Sequence, residues 1–143
     1  MSAAIHHADS DAEITACFLV MRELRPALAH EREFAARVAR QREAGYRLLA
    51  AWRSMLAVAL AGYRVQENLL HGRHIYVDDL VALASERSHG HGARLLQAVM
   101  DQGRTLGCGK LVLGANLANA RAHRFYYRQG MLATGLGFTM TLD

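Results

Sequence analysis

The sequence predicts an α+β fold built on one sheet, and three observations predict it. Two amphipathic helical stretches come first, a run of strand patterns joined by tight turns follows, and a strand–helix–strand–helix–strand succession completes the chain. At 143 residues the length suits one domain, residues 1–143, large enough to bury a core.

The elements follow in order. Ile5 to Ala8 reads as a short opening strand. Ser10 or Asp11 then caps a helix whose apolar residues Ile14, Cys17, Phe18 and Met21 recur at helical spacing. Pro26 breaks that helix or opens the next, in which Phe34 and Val38 mark the buried stripe and Gly45 the end. Tyr46–Trp52 and Met55–Val65 read as two strands of a hairpin turned at Arg53-Ser54. In His74–Leu83, the residues Ile75, Val77, Val81 and Leu83 alternate on one strand face. A helix is expected over 93–105, with Leu95, Leu96, Val99 and Met100 inward. Lys110–Gly114 gives a short strand, and a helix from Asn119 to Gln129 buries Ala122, Phe125 and Tyr126. Met131–Leu142 reads as a closing strand.

Composition narrows the function. Of the chain 52% is hydrophobic and 21% charged, the balance of a globular protein. Its longest apolar stretch, Ser54 to Tyr63, is about half of the roughly 20 residues a bilayer needs, so no membrane partner is expected. Asp9, Asp11 and Glu13 stand where a signal peptide would be basic, and Cys17 and Cys108 form no close-spaced pair. A cytoplasmic protein with reduced thiols is the expectation. The net charge of +4 comes from arginines dispersed along helical segments and interleaved with Glu23, Glu31, Glu33 and Glu43. That pattern reads as solvated helix faces with a general attraction for anions, not as the clustered cations and stacking aromatics of a nucleic-acid-binding module. His71 with His74 and His89 with His91 lack a further ligand at metal spacing, so no metal is expected.

Chemistry concentrates at Arg87-Ser88-His89-Gly90-His91-Gly92, directly before the helix pattern at Ala93. Glycines here let the backbone turn tightly and lie close to a ligand. The helix that follows offers unpaired N–H groups and the positive end of its dipole, a socket for a phosphate. A nucleotide P-loop would need Gly-Lys followed by Ser or Thr, and no such run exists. A dinucleotide fingerprint would need a third glycine where Arg94 and Leu95 stand.

With the strand Tyr76–Leu83 before it, this loop resembles the acyl-CoA signature of the GNAT N-acetyltransferase superfamily: Gln or Arg, two residues, Gly, one residue, Gly or Ala. Asn119, Ala122, Phe125-Tyr126 and Gly130 resemble the family's late helix; Met131 departs from the usual phenylalanine after that glycine. The resemblance covers residues 74–131 well and the N-terminal part by element order. It implies a mixed, mostly antiparallel sheet splayed near its centre, with helices on both faces. It also implies acetyl-CoA as co-substrate, its pyrophosphate on the backbone amides from Arg87 through Ser88, His89, Gly90, His91 and Gly92 to Ala93. Arg87 and Arg94 would supply charge, the pantetheine arm would pair with Leu80, Val81 and Ala82, and Asn119 would reach the pantetheine or thioester.

The implied activity is transfer of acetyl to a primary amine by direct attack in a ternary complex. The family's tyrosine seven residues after the Asn119 position is Tyr126, the implied acid for the departing thiolate; Tyr127 points about 100° away on a helix. The amine needs a base. Asp78 and Asp79 lie mid-strand, where carboxylates are depleted. Asp78 ranks first, Asp79 second and Glu67 third. Alternation puts the two aspartates on opposite faces unless a bulge intervenes. The alternative is a non-catalytic acyl-CoA-binding regulatory or interaction module. The acceptor stays open among polyamine, aminoglycoside, amino acid and protein lysine, and a homodimer is possible by resemblance alone.

Overall fold

The computed structural model describes residues 2–143, which divide into two compact units, one running to Val112 and the other Leu113–Asp143. In the first, strand β1 (Ala4–His7) leads to helix α1 (Asp11–Ala16). Ser10 accepts from the Glu13 N–H at 3.1 Å while the Glu13 carboxylate accepts from the Ser10 N–H at 3.0 Å, a reciprocal cap on two donors that a helix start leaves unpaired. The single stripe Ile14–Met21 is realised as two short helices. Cys17, fully buried, separates α1 from α2 (Phe18–Leu24). Helix α2 stops before Pro26, because the preceding Arg25 is held out of helical conformation (φ −120°, ψ 72°). Helix α3 (Glu31–Arg42) buries Phe34 and Val38.

Strands β2 (Arg47–Arg53), β3 (Leu56–Asn68), β4 (Gly72–Ala82) and β5 (Lys110–Leu113) complete a five-stranded sheet in the order β1-β2-β3-β4-β5, antiparallel from β1 to β4. Alternation sorts the two faces. Leu48, Ala50, Trp52 and Leu60 join Ile14, Phe18, Met21, Phe34 and Val38 in one core under α1–α3. On the other face lies α4 (His91–Thr105), which buries Leu95, Leu96 and Val99 and brings Gly103 against Ile75. Each such apolar side chain contributes roughly 1.5–3 kcal/mol on burial, so the sheet is held from both sides, as the resemblance implied.

Strand β4 departs from regular alternation. Its register pairs Gly62 with Asp79 but Tyr63 with Val77, leaving Asp78 as an extra residue opposite no partner. The expectation that Ile75, Val77, Val81 and Leu83 share one face is therefore corrected. Ile75 lies against α4, whereas Val81 and Leu83 pack on the α1–α3 core. One inserted residue has exchanged the faces halfway along the strand.

After β4 a 3₁₀ turn (Ala84–Glu86) leads to the glycine loop. Helix α4 begins at His91, two residues earlier than the sequence pattern suggested, because Gly90 takes the left-handed conformation (φ +79°) that lets the chain turn at once into the helix.

In the second unit, α5 (Ala120–Arg128) is capped by Asn119, whose side-chain oxygen accepts from the Ala122 N–H at 3.1 Å. None of its residues is fully buried; Ala122, Phe125 and Tyr126 are half-buried, less than expected. Nor do residues 131–142 form the expected strand. They carry no regular structure, and Leu132, Leu136, Phe138 and Met140 are exposed. A strand exists only where its backbone groups meet a ladder partner, and Gly135 and Gly137 weaken the pattern from within.

Candidate active site

The bulge in β4 builds the first half of the site. With Asp78 added to the strand, both aspartates turn toward the same cavity instead of opposite faces. It is a hollow of about 530 Å³ whose lining runs from Met21 on α2 through Phe34, Arg37, Val38 and Gln41 on α3 to Tyr46, Asp78 and Asp79. The two carboxylates are held differently. Asp79 is engaged at both oxygens: Oδ1 accepts from Arg25 Nε at 3.0 Å, and Oδ2 accepts from the Tyr46 hydroxyl at 2.6 Å. Burial, reinforced by the adjacent Asp79 charge, pushes the Tyr46 phenol far above its ordinary value, so it stays a donor. Asp78 is engaged at one oxygen. Its Oδ2 accepts from Arg64 Nε at 2.9 Å, and no hydrogen bond reaches its Oδ1 among the described residues. Desolvation raises the Asp78 pKa above the usual 3.8 despite the opposing Arg64.

These groups form a connected frame. Arg64 also donates to Gln41 Oε1 at 2.7 Å and lies 5.2 Å over the Tyr46 ring. Arg25 Nη2 donates to the Asp78 carbonyl at 2.9 Å, tying the end of α2 to the bulge. Gly62, opposite Asp79, has no room for a side chain: a Cβ there would overlap the Tyr46 hydroxyl and stand 2.7 Å from Asp79 Oδ2. Glu67 lies elsewhere, exposed near the hairpin tip opposite Arg73.

The second half lies where β4 ends. Gly109 N–H donates to the Arg73 carbonyl at 3.0 Å, so β5 starts beside the start of β4 and, with four residues against eleven, flanks only part of it. Leu80, Val81 and Ala82 occupy the other end, paired with Ala61, Leu60 and Ala59 of β3. Beyond them Ser88 (φ +67°) and Gly90 (φ +79°) twist the loop onto the N-terminus of α4, where the first amides, from Gly90 to Ala93, precede the first intrahelical bond at Arg94. Arg87, His89 and Arg94 are exposed, and neither arginine makes an ion pair among the described residues. His91 differs. Its ring is buried, and Nε2–H donates to Glu86 Oε1 at 2.7 Å. The His91 and Arg53 contacts hold the Glu86 carboxyl below its ordinary value. The His91 side chain thus fastens the helix start to the 3₁₀ turn and faces away from solvent, so only its backbone amide is offered outward.

In the second unit, the oxygen of Asn119 is committed to its cap, which leaves its amide nitrogen as the side-chain group for a ligand. Tyr126 is half-buried against Phe125, ring centroids 5.5 Å apart, and burial raises its phenol pKa. Tyr127 is the more exposed of the pair. Elsewhere, burial pushes the Cys17 thiol up to about 12, which removes it as a nucleophile. No cluster of three metal-ligating side chains occurs among the described residues.

Sequence reasoning found both aspartates but missed Arg25, Tyr46 and Arg64, their partners. Arg25 and Tyr46 stand 54 and 33 residues from Asp79, beyond any local pattern. One signal was present: Gly62, a glycine inside an apolar strand, marks a place where another group approaches closely.

Residues 9–131 match the profile of the acetyltransferase (GNAT) family. The chain is 34% identical over 107 residues, 75% of each protein, to the uncharacterized N-acetyltransferase YhdJ of Bacillus subtilis (strain 168). Similar folds occur in glucosamine-6-phosphate N-acetyltransferase from Arabidopsis thaliana (17% identity, all of both chains, TM-score 0.80). The structure of AAC(6')-Iy in complex with the bisubstrate analogue CoA-S-monomethyl-acetylneamine is also similar (14% identity, 98% of this chain and 97% of that one, TM-score 0.82). The family profile and the Bacillus subtilis relative make the protein an acetyltransferase. It belongs to the GNAT family of acetyltransferases.

Proposed function

We propose that the protein transfers an acetyl group from acetyl-CoA to a primary amine by direct attack in a ternary complex, with residues 1–143 working as one domain. The observation that carries this reading is the β4 bulge: one strand turns two carboxylates into a cavity and then runs into a glycine-turned helix start. The donor fits that second part. Amides from Arg87 to Ala93 would hold the pyrophosphate, with Arg87 and Arg94 adding charge and the backbone of Leu80, Val81 and Ala82 pairing with the pantetheine arm. Asn119 would add a side-chain donor. Bound acetyl-CoA supplies an acetyl thioester.

Asp78 acts as the base through Oδ1, taking a proton from the incoming ammonium, and a carboxyl with a raised pKa suits that task. The freed amine forms a C–N bond at the thioester carbonyl as the C–S bond breaks. Tyr126, by its motif position, gives its proton to the leaving sulfur and recovers one, through water, from the nitrogen of the new amide. Asp79 is a positioning residue that locks Arg25 and Tyr46 around the base. The inert Cys17 supports direct attack over an acyl-enzyme.

The test is acetyl-CoA-dependent thiol release across an amine panel, with a thermal shift alongside. Acetyl-CoA at about 100 times its Kd should stabilise the fold by about 2.7 kcal/mol. Asp78→Asn and Tyr126→Phe should each lower kcat about 10²-fold or more, in the range of general acid–base catalysis, with the acetyl-CoA shift intact. A thermal shift with no thiol release from any amine would make the protein a binding module; no shift would remove the donor altogether.

A further inference from the structure

Resting on that reading, we infer that the acceptor is a small zwitterion: a primary amine carrying one carboxylate and an apolar body, of which an apolar amino acid is the simplest case. The charge balance of the cavity is the first argument. Its lining holds two aspartates and two arginines, Arg25 and Arg37. Both aspartates are already matched, Asp79 by Arg25 at 3.0 Å and Asp78 by Arg64 at 2.9 Å. Only Asp78 Oδ1 remains for an ammonium, so the cavity accommodates one positive group. A polyamine or an aminoglycoside would bring further ammoniums to a lining with no unpaired carboxylate.

Arg37 is the second argument. Among the described residues it is the only lining cation not tied to an aspartate, and its one ion pair there is with Glu33 on its own helix, at 3.6 Å with both side chains about half exposed. Such a pair is weak and readily exchanged for a ligand carboxylate. A guanidinium released from that pair can meet one carboxylate with two parallel N–H donors, one charge against one. Arg37 stands one helical turn before Gln41, which Arg64 links to Asp78, so anion and base positions lie along one face of the same cavity. The rest of the cavity presents a largely apolar wall: Met21, Leu24, Leu28, Phe34 and Val38. That wall favours a hydrocarbon body over a sugar, whose hydroxyls would lose water without finding partners.

The experiment measures kcat/KM with acetyl-CoA for leucine, methionine and phenylalanine, for their carboxamides, and for spermidine. The carboxamides keep the amine and the apolar body and lack only the anion. The zwitterions should exceed both comparison groups at least tenfold, and Arg37→Gln should bring the zwitterion-to-carboxamide ratio close to one, mainly through KM. Carboxamides or spermidine turned over as well as the free amino acids would overturn the inference and leave acetyl transfer standing. A ratio that survives Arg37→Gln would also overturn it. Should none of these amines release thiol while acetyl-CoA still raises the melting temperature, the inference and N-acetyl transfer to small amines fall together.

Discussion

Asp78 and Asp79 are consecutive residues of one type, yet the structure gives them different work. Asp79, with both oxygens bonded, is fixed in place; Asp78 keeps one oxygen open and a pKa raised by desolvation. A base must be ionised, so the acid limb of kcat/KM should fall at a pH above 3.8, the ordinary value of an aspartate. The sign for stability is opposite to that of a salt-bridged carboxylate. A raised pKa means that the folded chain holds the proton more tightly, so the contribution of Asp78 to stability is fully present below 3.8 and is lost as pH rises through its folded value. Asp78→Asn should therefore lose turnover while melting at pH 7 as high as the unsubstituted protein or higher. A melting temperature clearly lower at pH 7 would show that the Arg64 pair outweighs desolvation. For a residue proposed as the base, this is the usual trade of a group kept where stability alone would not put it.

At the scale of elements, the β3–β4 pair carries the site, and Gly62 is what allows it. Gly62→Ala would drive a methyl group into the buried Tyr46–Asp79 bond. Overpacking of this kind costs about 1–3 kcal/mol, read as a melting temperature several degrees lower, together with a reduced kcat/KM. Combining it with Tyr46→Phe should recover little, because the ring carbon that carried the hydroxyl would still stand 2.5 Å from the new Cβ and Asp79 Oδ2 would lose its donor. A Gly62→Ala protein that melts like the unsubstituted one would show that Tyr46 can move aside. The elements themselves were largely legible: Ser10 capped where expected, Pro26 ended α2, and β4 and α4 fell where periodicity put them within two residues. What was not legible depended on partners far along the chain. Arg25 and Tyr46 reach Asp79 through the fold, and residues 131–142 show alternation without a strand to pair with. Local pattern states what a segment can do. Pairing decides whether it does so.

For the molecule as a whole, the extra residue at Asp78 fixes the parity of everything after it in β4. Before the bulge odd-numbered residues such as Ile75 face α4; after it the odd-numbered Val81 and Leu83 face α1–α3. The change of parity is thus a count of one. Substituting Asp78 leaves the count unchanged. Deleting it would remove the bulge but leave Val77 opposite Tyr63 and Asp79 opposite Gly62, so Val81 and Leu83 would keep their face and only the second carboxylate would leave the cavity. The deletion should therefore keep the cooperative thermal transition and the near-UV circular dichroism of a packed core, as Asp78→Asn should, while turnover is lost. A deleted protein that no longer melts cooperatively would mean that the local twist of the bulge, and not the pairing alone, seats the end of β4. Along this strand the surplus residue serves the cavity and not the core, so a single deletion can separate the chemistry from the folding.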